Sequence, residues 1–434
     1  MQNRLTMKSW KSTDLPSDWF KRGKTDEKDG ATVEKTVKNV IKAVRKRGDA
    51  AVLELTKKFD ETKLNVKDMR VNNKEIEAAY KAVTPDQVTA LKFIKEKLQA
   101  REQPILEQQR FKTISEGITV ETALRPIESV GCYVPGGQAP YPSTVVMTVA
   151  LAKVAGVPRI VVCSPPTEKG TINPLILVAS DLCGVDEVYK VGGAQAIAAL
   201  AYGTETIKPV RKIFGPGSKF VTAAKISVSR DLAIDMPAGP SEVLILADES
   251  ADPKLVAADM ISQAEHGADS VAGLVTTSEK LADEVKNWLV KLANTAERKE
   301  IVKESLSKNG FIIVCEETRE MAALANVFAP EHLEIVTTKA AEIAEQVTTA
   351  GLILLGQFSP VALSDYASGT DHVLPTGGYG YAFSGLSVLD FTRRVSIVES
   401  SKDGLKKAKP IIKVLTEAER LPNHYRAVES RFEK

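Results

Sequence analysis

Apolar positions along the chain follow one period at the start and another after about residue 128. From Thr32 to Phe59 they recur at helical spacing, with a break at Gly48 after which Asp49 caps a second helix. Residues 73–112 read as another helical pair, with Pro85 near a boundary. Beyond residue 128, short apolar runs predict strands at Val130–Val134, Arg159–Cys163, Glu187–Val191, Lys212–Phe214, Val243–Ala247, Phe311–Cys315 and Gly351–Leu355. Ala- and Val-rich stretches between them predict helices at 143–156, 194–202, 218–229, 252–266, 279–294, 317–326 and 339–349. Such alternation argues for parallel sheets with helices on both faces, an α/β fold. Ligands in these folds sit beyond the carboxyl ends of the strands, so the loops there carry most weight. No fixed-period repeat is visible, and from about residue 400 the chain reads as helical and charged, with Pro410 and Pro422.

Composition narrows the class without naming a chemistry. A chain of 434 residues suits two or three domains. Its 58 basic and 56 acidic residues nearly cancel, so nothing points to nucleic acid or an anionic membrane. No apolar run approaches the ~18 residues of a membrane span, and the first twenty residues lack the hydrophobic core of a secretion signal. A cytoplasmic protein is expected. Cys132, Cys163, Cys183 and Cys315 have no CxxC spacing, and three lie in or beside apolar runs, which predicts buried, reduced thiols.

Candidate chemistry centres on the histidines. There are four, at 266, 332, 372 and 424, each in a distinctive context: SQAEHGADS, APEHLEI, SGTDHVLPTGG and AERLPNHYRAV. Gln263 and His266 are three apart in a helical run and share one face. Together with Asp365 and His424 they could hold a divalent ion such as zinc, although an amide is an unusual ligand and QxxH alone is more often a core pair. Glu331-His332 follows Pro330; if that turn is helical, its dipole would keep His332 neutral and ready to take a proton. Asp371-His372 either orients a substrate or shapes its turn. Glu419, on the same tail as His424, could pair with an ammonium group. Two glycine-rich loops, YVPGGQAPYPSTV (133–145) and IFGPGSKFVTAAK (213–225), follow strands and open onto helices, where free N–H groups suit a pyrophosphate. Neither fits GxGxxG, and a tight turn under the sheet explains either equally well. VGGAQAIAAL (191–200) is a third turn of this kind.

These segments, with DMPAGPSEVLILAD and DYASGTDHVLPTGGYG, resemble the signature blocks of histidinol dehydrogenases, in family order over roughly residues 30–430. The resemblance implies an α/β fold of two Rossmann-like parallel-sheet domains with helical N-terminal and C-terminal extensions. It implies an N-terminal arm (1–30), a discontinuous first domain (31–128 plus 240–390), a second domain (129–239) and a helical C-terminal tail (391–434). The implied activity is NAD-dependent, zinc-dependent, four-electron oxidation of L-histidinol to L-histidine through the aldehyde, the last step of histidine biosynthesis. On matching positions, one zinc per subunit falls to Gln263, His266, Asp365 and His424, and acid–base chemistry to Glu331 and His332. Ser241, Gln263, His266, His332, Asp365, Glu419 and His424 would line the histidinol site, with Tyr133, Gln195 and Ser218 at the NAD. The family's intertwined homodimer implies that the tail reaches the neighbour's site. Two positions depart from the family pattern. Ser218 stands in place of the usual Asn in FGPGSKF, which puts cofactor affinity in question. Asp371 turns GTNH into GTDH and could add a negative charge near the metal.

Three other readings compete. A sister NAD-dependent dehydrogenase of another small alcohol, such as a sulfonated diol, shares the fold but tends to lose part of the imidazole-handling set retained here. A zinc hydrolase would use Glu331 to activate water and need no NAD. A silent two-domain binding protein would tolerate replacement of Glu331 and His332.

Overall fold

In the computed structural model, residues 7–16, 19, 27–136 and 140–433 are described. Half of the expected arm (1–30) and residues 137–139 of the first glycine loop lie outside them. The strands are β1 (Lys8–Lys11), β2 (Phe111–Ser115), β3 (Ile118–Pro126), β4 (Ser129–Tyr133), β5 (Arg159–Ser164), β6 (Glu187–Lys190) and β7 (Lys212–Phe214). They continue as β8 (Ala233–Ile234), β9 (Glu242–Ala247), β10 (Val271–Thr276), β11 (Phe311–Val314), β12 (His332–Val336), β13 (Leu352–Leu355) and β14 (Thr392–Ser400).

Two sheets are wholly parallel. One runs β6-β5-β4-β7-β8 and the other β1-β11-β10-β9-β12-β13. Setting β1 aside, each has the order 3-2-1-4-5 counted along its own strands, so each contains a switch point, between β4 and β7 and between β9 and β12. Successive residues of β9 feed opposite cores: Val243 and Ile245 pack under the helices Pro253–Ala264 and Glu279–Thr295, Leu244 and Leu246 under Thr318–Phe328. That is why these strands read as unbroken apolar runs. All four cysteines are buried and free, and burial pushes the Cys132 thiol up to about 12. No helix among the described residues is long and apolar enough to cross a membrane.

Three expectations are corrected. The helices Glu27–Phe59, Asn73–Ala82 and Pro85–Gln108 do not cover the six-stranded sheet, although Glu102 on the last of them accepts from Val388 N. Val37, Val44 and Val52 pack with Ile197 and Ile213, and Leu91 and Leu98 with Val130 and Phe214, all on the five-stranded sheet. The six-stranded sheet instead gains β1, from the segment read as an arm. The C-terminal tail is not all helix: β14 pairs antiparallel with β3, and β2 completes a third sheet. The helices Lys402–Ala418 and Pro422–Glu429 follow it. This outer module leaves Phe111, Ile114, Val398, Ile411, Val414 and Leu415 exposed, an apolar surface of the kind that marks an interaction site.

Candidate active site

The helix Thr318–Phe328 ends at Ala329, whose left-handed backbone (φ 49°) turns the chain into Pro330 and then into β12. Glu331 and His332 thus stand at the amino end of a strand, not on a helical turn. Pairing of His332 with Val243 on one side and Leu352 on the other decides this. No helix dipole acts on the ring. His332 is 3 % exposed, with Nδ1 3.2 Å from the carbonyl oxygen of Glu242 and 3.5 Å from Glu331 Oε2. A carbonyl only accepts, so Nδ1 carries the proton and donates. Nε2 faces Asp365 Oδ1 at 3.5 Å and has no closer polar partner among the described residues. Burial acts against the imidazolium, but Glu331 and Asp365 together outweigh it and raise the pKa to about 10. The ring is protonated near pH 7 in the metal-free chain, contrary to the neutral ring expected from a helix dipole.

The Glu242 backbone organises the pair, since its N–H donates to Glu331 Oε2 at 2.7 Å. Its own carboxylate accepts from Gly377 N at 3.1 Å. Asp365 lies near the end of the short helix Val361–Tyr366. Burial works against its carboxylate, yet His332, with smaller contributions from His372 and His266, keeps it below the usual range. Gln263 is buried in the last turn of Pro253–Ala264, and His266 follows, stacked at 6.5 Å on Tyr141 from the other parallel-sheet unit. His372 joins the two units as well: its Nδ1 lies 3.4 Å from Asp365 O and its Nε2 3.5 Å from Thr144 Oγ1. Ser241, half-buried, immediately precedes β9. These candidate residues therefore lie at the amino ends of β9 and β12, opposite the edge that the carboxyl-end rule favours.

Glu419 and His424 are not brought to this place within one chain. Both are exposed on the tail, and no hydrogen bond or ion pair among the described residues joins them to the others. Nor do three His, Cys, Asp or Glu side chains among the described residues form a cluster able to hold a metal. What the chain does offer is an ionised, buried Asp365 near His266, with the side chains of Gln263 and His266 engaged in no hydrogen bond to any described residue. That donor set fits zinc if one more ligand is added.

Sequence reasoning missed a second acid pair beneath the site. Glu334 follows His332 on the same strand face, accepts from Val361 N at 2.9 Å, and is hydrogen-bonded to Asp259, one turn before Gln263. Burial pushes Asp259 up to about 6 and, with the Asp259 charge, raises Glu334 well above the carboxylate range. Through its bonds to Asp259 and Val361 N, Glu334 ties together the two helices that carry Gln263 and Asp365. Only the alternation of β12, had it been read as a strand, would have placed Glu334 there.

The surroundings of Asp371 oppose the charge its sequence suggests. It is 4 % exposed; Oδ1 accepts from Val373 N at 2.7 Å and Oδ2 has no partner among the described residues. Burial raises its pKa well above the usual value against the Val373 N–H, with Glu102 and Asp390 adding to the rise and Arg101 opposing it. Because the folded pKa exceeds the unfolded one, this group's stability contribution falls as pH climbs above about 4. Asp371→Asn is therefore expected to raise the melting temperature by roughly a few degrees at pH 8, with the gain shrinking at pH 5. An equal effect at both pH values would mean that Asp371 is ionised throughout.

The cofactor candidates gather at the carboxyl edge of the five-stranded sheet. The two glycine loops leave β4 and β7, the strands at its switch point. Tyr133 is buried at the end of β4 and its hydroxyl accepts from Gly193 N at 3.2 Å. Gln195 is buried in the helix Gly193–Tyr202 and donates from Nε2 to Asp60 Oδ2 at 3.3 Å. Ser218 is exposed at the N-cap of Lys219–Val228 and its hydroxyl does not cap the helix.

Comparison with known proteins agrees across the chain. Residues 23–432 match the family model for histidinol dehydrogenase. A histidinol dehydrogenase of Methanosarcina mazei is 45% identical over 404 residues, covering 93% of this chain and 92% of that protein. One from Vibrio parahaemolyticus is 45% identical over 410 residues, covering 94% and 93%. The crystal structure of histidinol dehydrogenase from Elizabethkingia anophelis superimposes with a TM-score of 0.91 at 37% identity, covering 99% of each chain.

Proposed function

The chain belongs to the histidinol dehydrogenase family, an oxidoreductase of histidine biosynthesis, and on that premise we propose that it oxidises L-histidinol to L-histidine by two successive hydride transfers to NAD+, with one zinc per subunit. The observation that carries the reading is the buried His332, its Nδ1 fixed on a carbonyl and its Nε2 left for substrate.

Gln263, His266 and Asp365 would hold the zinc, with His424 supplied by the tail of a second copy in a homodimer. When bound, zinc supplies fixed positive charge for the nitrogens of histidinol and offsets Asp365, so less negative field acts on Nε2. His332 Nε2 accepts the alcohol proton as the first hydride leaves. Glu331 is held through Oε2, so Oε1 can take a proton from the water that hydrates the aldehyde. As the hydrate forms, Nε2 returns its proton to the former carbonyl oxygen, and the freed Nε2 then accepts a hydroxyl proton of the hydrate during the second hydride transfer. Burial of both groups keeps bulk water from the intermediate. Ser241 and, from the second copy, Glu419 complete the pocket. The glycine loops, Tyr133, Gln195 and Ser218 form the NAD side, where the uncapped helix behind Ser218 offers N–H groups to a pyrophosphate. The apolar outer module fits a dimer interface, and we place the enzyme in the cytoplasm.

Metal removal tests this reading. Dialysis against a chelator is expected to abolish NADH formation from L-histidinol without unfolding the protein, and one equivalent of zinc should restore it. Full activity in demonstrably zinc-free protein would rule out the ligand assignment.

A further inference from the structure

We propose that the buried ion pair Lys225–Asp235 is a positioning clamp for the dinucleotide loop Gly215–Ser218; this rests on the reading that NAD binds at that loop. The pair sits behind the switch point of the five-stranded sheet, with side chains 2 % and 0 % exposed. Both partners turn to the same residue. Gly215 N donates to Asp235 Oδ2 at 2.7 Å, and Lys225 Nζ donates to Gly215 O at 2.8 Å, while the ammonium also contacts Asp235 Oδ1. The two peptide groups flanking the Gly215 Cα are thus closed into one ring by a carboxylate and an ammonium.

Gly215 needs such a hold. Its φ is 112°, a conformation that favours glycine, and a Cβ there would collide with the carbonyl oxygen of Tyr133 on β4. The loop leaves β7 pressed against its neighbour strand and must reach Ser218, where the helix Lys219–Val228 begins. Taking two charges out of water is costly, and apolar residues of similar size would fill the space with less penalty. Apolar residues could not bind the N–H and C=O of Gly215, so loop geometry is what the ion pair secures.

Asp235 also starts the strap to the proton-transfer pair. Thr222 Oγ1 donates to Ala238 O, Gly239 N donates to Thr376 Oγ1, and Glu242 N–H holds Glu331. These later anchors fix the strap independently of Asp235, so loss of the clamp is felt on the cofactor side.

The test uses full-length, zinc-loaded protein. Lys225→Met and Asp235→Asn each leave one charge unpaired and buried; the double variant removes both charges and keeps an amide oxygen for Gly215 N–H. Fluorescence titration with NADH, KM for NAD+ and for L-histidinol, zinc content and the melting curve are measured for the double variant and the wild type. The clamp predicts an NADH dissociation constant and a KM for NAD+ raised by about tenfold or more, with zinc content and KM for histidinol unchanged. A folded double variant with a lowered melting temperature but NADH affinity within about twofold of wild type would make the pair merely structural and overturn the proposal. Failure of the wild type itself to bind NADH would overturn the cofactor reading, and the clamp with it.

Discussion

His332→Asn is expected to lower kcat by about 10²- to 10⁴-fold, the usual scale for losing a positioned general base, while zinc content and histidinol affinity stay near wild type. The separation follows from geometry. The ring is buried at the amino end of β12, with Nδ1 committed to Glu242 O and Nε2 facing Asp365 at 3.5 Å. Asn restores the hydrogen-bonding side chain in much of the same volume but offers no atom that takes a proton near neutral pH. The pH profile adds a second readout. Glu331 and Asp365 outweigh burial and hold the ring's pKa high, so wild-type kcat should rise with pH as Nε2 loses its proton. That dependence should flatten in the variant. The same shift has a stability consequence: in metal-free protein the protonated ring stabilises the fold fully below about pH 6.5, and this is lost as pH rises toward 10. Loss of zinc in parallel with kcat would instead make His332 a ligand.

Mixing two inactive variants should recover activity. His424→Asn alone is expected to abolish turnover, because the exposed tail residue would complete a site on another chain. His332→Asn disables the core half of a site. In a heterodimer of the two, one site combines an intact core with an intact tail, while the other carries both lesions. With random re-pairing half of the dimers are mixed, so the recovered rate should be about one quarter of wild type. A mixture no more active than its components after proven subunit exchange would show that each chain builds its own site. The apolar side chains Ile411, Val414 and Leu415 on the tail helix, exposed in one chain, would then need another partner.

The parts of the fold legible in the sequence are those whose physics is local. Runs such as Arg159–Cys163 and Val243–Ala247 are apolar on both faces because helices cover both, and they match β5 and β9 within a residue. β12 was not legible: Pro330 suits a helix start, and only pairing with Val243 and Leu352 makes His332 a strand residue. β14 reads TRRVSIVES, with too few apolar residues to separate it from the charged helix that follows. The early helices look like solvated layers of any domain, and nothing local says which sheet they cover. At the candidate site, Glu331 and His332 were readable as residue types, but the protonation of His332 was not. The His332 pKa depends in part on Asp365, thirty-three residues away in sequence, and the raised pKa of Asp371 on burial, with Glu102 and Asp390 adding to it. The Lys225–Asp235 pair is invisible for the same reason, since neither residue looks different from a surface charge until the sheet closes around it.

That one buried pocket carries out both oxidations is tested by counting NADH formed per L-histidinol consumed at limiting substrate. Two NADH per histidinol are expected, with L-histidine as the sole product. One NADH with free aldehyde, or one NADH with a different alcohol as the better substrate, would contradict it.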